Sequence, residues 1–146
     1  MQLPMQLMIS MIVAAMTVSM VYQAVEAYSQ TASDQEISRQ VNAILIKIEQ
    51  VRSGADGTAL RCDVSLPDRT DYVKIGGDLT DETSFTLKYH VLGRSEGIIV
   101  FEGIRVTGKA DGSGPMTLYG PGSHSLILTY FAPQFGTGQE YVLVSA

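Results

Sequence analysis

The first 25 residues carry no charged side chain; the first acid is Glu26 and the first base is Arg39. From Met5 to Val25 the chain is Met, Leu, Ile, Val and Ala, with a few Ser, Thr and Gln and one Tyr. As a helix, roughly 20 such residues cross a ~30 Å hydrocarbon layer. Water does not tolerate such a rod bare, because each exposed apolar side chain costs about 1.5–3 kcal/mol. Its partner must be lipid or protein. Pro4 suits a helix start, where its missing N–H costs nothing. The run has no basic residues before it and no small-residue cleavage site after it, so a removable secretory signal is a poor fit.

The helical pattern continues past the apolar run. No Pro or Gly occurs between Glu26 and Arg52. Ile37, Val41, Ile44, Leu45, Ile48 and Val51 recur at three- and four-residue steps and form one stripe, with Arg39, Gln40, Lys47 and Glu49 mostly off it. This stripe is expected to pack on a β-domain. Gly54 is the expected C-cap, after Arg52 in the last turn. A helix from about Met5 to Ser53 would measure roughly 70 Å. Two readings stand for Ser29–Glu36: continuous helix, or a break recapped by Ser33 or Asp34.

After Gly54 the period changes to two. Leu60, Cys62, Val64 and Leu66 alternate with polar residues, and Pro67 closes the strand. Short strands are expected at Tyr72–Ile75, ended by Gly76-Gly77, and at Phe85–Val91. Ile98–Val106 is more continuously apolar and is expected to lie centrally in a sheet. Met116–Tyr119, His124–Phe131 and Glu140–Val144 bring the total to about seven strands, separated by glycine-bearing turns (ADGSGP, GPG, FGTG). The expected fold class is therefore α+β. A long N-terminal hydrophobic helix over 1–53 (hydrophobic over 1–25, amphipathic over 26–53) precedes an all-β globular domain over 54–146, built as a sandwich or partly open barrel.

Motifs for chemistry are sparse. Cys62 is the only cysteine, which excludes a disulfide within the chain and a cysteine-based zinc site. It falls on the apolar face of its strand, where a thiol packs rather than reacts. His90 and His124 fall on predicted polar strand faces. The glycine-rich GSGPMTLYGPGS lacks the Lys-Ser or Lys-Thr of a phosphate loop. Carboxylates around Asp111, DGTA and TDET are not at calcium-loop spacing. Asn42 is the only asparagine and starts no glycosylation sequon. The net charge of −5 gives no basic footprint for nucleic acid. No catalytic, metal or cofactor site is expected, and the chain does not read as an enzyme.

The apolar segment is more informative. A lone membrane anchor gives no reason for small residues at regular intervals. Here Ser10 and Ala14 are four apart, as are Ala15 and Ser19, a spacing that lets helix backbones approach closely. Six of the seven methionines lie in the first twenty positions and are flexible fillers against non-identical neighbours. The residues expected to pack in a bundle of identical helices are Met5, Gln6, Leu7, Met8, Ser10, Met11, Ala14, Ala15, Thr17, Val18, Ser19 and Val21.

The opening Gln2-Leu3-Pro4-Met5-Gln6-Leu7-Met8-Ile9 resembles the start of a mature type IV pilin, and of its archaeal branch, which includes archaellins and adhesion pilins. That branch often begins with Gln and carries Glu four positions later; Gln2 matches the first, and Gln6 stands at the second. The passage Val51 to Pro67, a helix end, a Gly and a strand closing in Leu-Pro, is also similar to archaeal pilin-like chains. The resemblance is best over the first 25 residues and looser over two-thirds of the chain. It implies a chain close to its processed form, inserted in the membrane before assembly. An assembly machinery would then build it into an extracellular homopolymeric filament at the cell surface, serving adhesion, aggregation or motility. The alternative is a membrane-anchored β-sandwich accessory protein that does not polymerise. Gln6 departs from the family's carboxylate, which is thought to pair with a neighbour's terminal amine; an amide still hydrogen-bonds and costs less to hold in lipid.

Overall fold

A computed structural model describes residues 2–133 and 139–146, with side chains from residue 4 onward. The turn expected within FGTG lies outside the described residues. Helix α1 runs unbroken over Gln2–Arg52. Ser33 and Asp34 therefore lie inside it rather than recapping it. Within the polar stretch the Thr31 hydroxyl is satisfied by the Ala27 carbonyl at 3.0 Å, and at its end Gln40 donates to Glu36 at 2.7 Å. A four-residue side-chain pair such as Gln40–Glu36 stabilises a helix where packing does not. The chain forms two compact units, Met1–Ala32 and Ser33–Ala146. The second half of α1 thus belongs with the strands.

Among the described residues eight strands follow: β1 Ala59–Leu66, β2 Thr70–Ile75, β3 Thr86–Val91, β4 Gly97–Val100, β5 Arg105–Thr107, β6 Met116–Tyr119, β7 Gly122–Phe131 and β8 Tyr141–Ser145. A 3-10 turn, Glu82–Phe85, leads into β3. Two four-stranded sheets result, ordered β1-β7-β8-β5 and β4-β3-β2-β6. Pairing is antiparallel except between β5 and β8. The layout is α+β, a long N-terminal helix before an all-β part, and two separate sheets make that part a sandwich. In β1 the expected alternation appears, with Cys62, Val64 and Leu66 buried and their neighbours exposed.

The continuously apolar run is not one central strand. It divides into β4 and β5, each at the edge of a different sheet. Between them the chain crosses over, burying Phe101 and Ile104 and turning at Gly103 with φ +72°. Ile98 and Val100 instead face outward, 57% and 64% exposed. An apolar run reads alike whether its residues fill a central strand or line a crossover, which is why period alone misplaced it. Gly54 is also not a left-handed cap; positive φ falls at Gly57 instead. Gly54 is constrained by proximity, because a Cβ there would stand 2.6 Å from the Thr58 hydroxyl.

One hydrophobic core joins both sheets to the helix. Ile37, Val41, Ile44, Ile48 and Val51 are all at most 1% exposed, with Leu45 packed beside them. Polar contacts hold the same stretch: Ser65 N of β1 donates to Gln40 at 3.2 Å, Arg94 meets Asp34 at 3.0 Å, and Arg52 meets Glu140 at 3.2 Å. Ile44→Ala is expected to cost about 2–5 kcal/mol, since a close-packed core collapses only partly around a lost side chain. Denaturant unfolding of the full chain in detergent, followed by tyrosine fluorescence, measures this; a loss below ~1 kcal/mol would show that the helix is dispensable to the core.

Candidate functional site

The unit that ends at Ala32 is a helix whose apolar side chains have no cover among the described residues. Met5, Leu7, Met8, Met11, Val18 and Val21 are 57–71% exposed. Gln6, Ser10, Ala14, Ala15, Thr17 and Ser19 are exposed as well. Exposure is not confined to one side, as Ile9, Ile12, Val13, Met16, Met20, Tyr22 and Val25 share it. A surface helix of a soluble domain buries one apolar stripe and leaves the other side polar. This one is apolar all round and, by length and composition, suffices to cross a membrane.

The helix sorts its small residues onto two sides. Ser10 and Ala14, four apart, lie along one side, with Thr17 and the longer Gln6 beside them. Ala15 and Ser19 lie along a second side, roughly 140° around at 3.6 residues per turn. The Thr17 hydroxyl donates to the Val13 carbonyl at 2.8 Å. That bond satisfies it without water, as a hydrocarbon or protein surround requires. The sequence paired Ser10 with Ala14, but not with Gln6 and Thr17; the four-residue step from Gln6 was the available signal.

The remaining reactive groups do not converge. Cys62 is 3% exposed, and burial pushes its thiol above the ordinary range. Labelling by iodoacetamide is expected only on unfolding; rapid modification of the native chain would show that the β1 face opens. His90 is on the outer face of β3, as expected, with Nδ1 2.9 Å from Asp71. His124 is not on a polar face: it precedes Leu126, Leu128 and Tyr130 in the inward register of β7, and its Nε2 is buried without a partner among the described residues. The alternation failed there because β7 carries apolar residues on both faces, with Ile127 and Phe131 opposite Leu126 and Leu128. Asp78 and Asp111 accept from Thr80 and Ser113 respectively, which holds both carboxyls below the usual range. Among the described residues no group of three or more His, Cys, Asp or Glu is placed to hold a metal.

No protein-family model, curated protein or solved structure matches the chain.

Proposed function

We propose that this chain is the structural subunit of an extracellular, type IV pilus-like filament. The supporting observation is the charge-free helix over Met5–Val25, exposed all round and carrying small residues on two separate sides. One small-residue face suffices for a pair of helices; two faces serve a helix with several neighbours at once. The resemblance of Gln2–Ile9 to a mature pilin points the same way.

The helix first lies in the membrane and then moves into a bundle of its copies. Lipid and bundle are about equally apolar, so that transfer has little hydrophobic drive and needs a machine. Release into water exposes some 20 side chains at ~1.5–3 kcal/mol each, tens of kcal/mol together, so a finished filament persists. The strands form the outer surface, which meets cells or solid supports in adhesion, aggregation or motility. The chain acts as a building block rather than an enzyme.

Gln6 favours one second reading. With no carboxylate at that position an acid–amine ion pair between neighbours cannot form, and a membrane-anchored accessory sandwich that does not polymerise would need none. Shearing cells and identifying peptides from the fibres seen by negative-stain microscopy separates the two. Recovery in sheared fibres supports the subunit; recovery only from detergent-solubilised membranes overturns it.

A further inference from the structure

The outer face of the sheet β4-β3-β2-β6 collects side chains that the filament reading leaves unused. Lys74 of β2 and Lys88 of β3 are directly opposite in register and both line one cleft of about 220 Å³. Like charges paired across strands are destabilising. A net charge of −5 makes this juxtaposition more conspicuous, since acids outnumber bases 15 to 10. Lys88 has Glu96 at 4.0 Å. Lys74 makes no ion pair among the described residues; its ammonium stands 5.0 Å from the centre of the Tyr72 ring.

That ring is itself held in place. Tyr72 donates its hydroxyl to Glu96 and stacks on His90, with centroids 5.6 Å apart. His90 is in turn fixed on Asp71. Tyr72 therefore acts as a positioning residue for Lys74. One strand further, Tyr119 is in register with Tyr72 on the same face and is 72% exposed, an open aromatic surface. The cleft also contains Asp78 and the hydroxyls of Thr83 and Ser113.

We propose that this face binds an acidic oligosaccharide. The sugar carboxylate lies between Lys74 and Lys88, where it relieves their repulsion and forms charge-assisted hydrogen bonds. Ring hydroxyls donate to Asp78 and to the Ser113 oxygen, whose own proton is held by Asp111, and exchange hydrogen bonds with Thr83. The apolar face of the adjoining sugar ring stacks on Tyr119. The cleft volume suits one sugar unit rather than a drug-sized ligand. Asp78, an acceptor, favours a ligand that brings hydroxyl donors beside its charge over a bare phosphate. Nucleic acid calls for a broad basic surface, which two lysines in an acidic chain do not supply. The site is independent of polymerisation, so it can be tested on the dispersed chain.

The test is calorimetric titration of the full-length chain in a non-ionic detergent micelle. The probes are tetrasaccharides carrying galacturonate, glucuronate or sialate, with neutral tetragalactose, inorganic phosphate and an eight-residue oligothymidylate as comparators. At least one acidic tetrasaccharide is expected to bind and the comparators are not. Lys74→Gln and Lys88→Gln are each expected to weaken binding about 10-fold, the loss of a hydrogen bond to a charged group. Tyr119→Ala is expected to weaken it several-fold, while Lys47→Gln, on the helix, leaves it unchanged. Far-UV circular dichroism establishes that each variant is folded. Binding of no acidic sugar, equal binding of tetragalactose, phosphate or the oligonucleotide, or indifference to both lysine changes in folded protein would each overturn the proposal.

Discussion

Ala14→Glu is expected to abolish filaments while leaving the subunit folded and membrane-bound. Ala14 lies midway along the charge-free run, on the side of Ser10, with Thr17 and Gln6 beside them. In a bundle a small residue there lets a neighbouring backbone approach, and a glutamate is too long for that space. An acid at the centre of an apolar span costs about 2.5–3.5 kcal/mol even with relaxation of its surroundings. A single span with some 20 apolar residues absorbs that cost and still inserts. A polymer pays it again in every copy, with no route for the side chain to snorkel to water. The measurement pairs fibre yield after shearing with protease resistance of the Ser33–Ala146 unit in membranes. Ala14→Ser, which keeps the size, should restore fibres. Wild-type fibre yield from the glutamate variant would remove the helix bundle from the explanation.

Gly76→Val is expected to bring a large loss of stability in the β-part. Gly76 has φ +72°, and a Cβ there would come within 2.1 Å of the Val106 carbonyl oxygen. This is where the two sheets meet: Gly76 N donates to Thr86 at 2.9 Å, and Gly77 N donates to Val106 of the opposite sheet at 3.0 Å. A left-handed backbone costs an L-residue roughly 1–2 kcal/mol. Overpacking against backbone, which cannot swing aside as a side chain can, adds about 1–3 kcal/mol. Against a total stability of ~5–15 kcal/mol that is a large fraction. The thermal midpoint should fall by on the order of 10 °C or more in a unit of this size. A midpoint within about 2 °C of wild type would mean that the β2–β5 approach is looser than the structure places it.

Residues differ in how much of their place could be read in advance. The stripe from Ile37 to Val51 was legible because a helix repeats every 3.6 residues whatever it packs against. The alternation around Cys62 was legible for the same kind of reason, since one face of β1 is dry and the other wet. Ile98–Val106 was not, because burial of Phe101 and Ile104 depends on a crossover between sheets. His124 was not either, because β7 is apolar on both sides of its pleat. Lys74 and Lys88, 14 positions apart, show no relation until β2 and β3 pair. The same holds for Gly76, whose need for glycine comes from Val106, thirty residues on.

Local chemistry alone settled that the chain begins as a long apolar helix, that its second half is amphipathic, and that strands follow. Backbone periodicity and the absence of charge act over a few neighbours, so one dimension suffices to see them. The partition into two sheets, the parallel β5–β8 pair, the inward His124 and the lysine-lined cleft were decided only by the folded chain. Each depends on contacts between segments distant in sequence, where the energy of a side chain is set by what the rest of the molecule brings beside it.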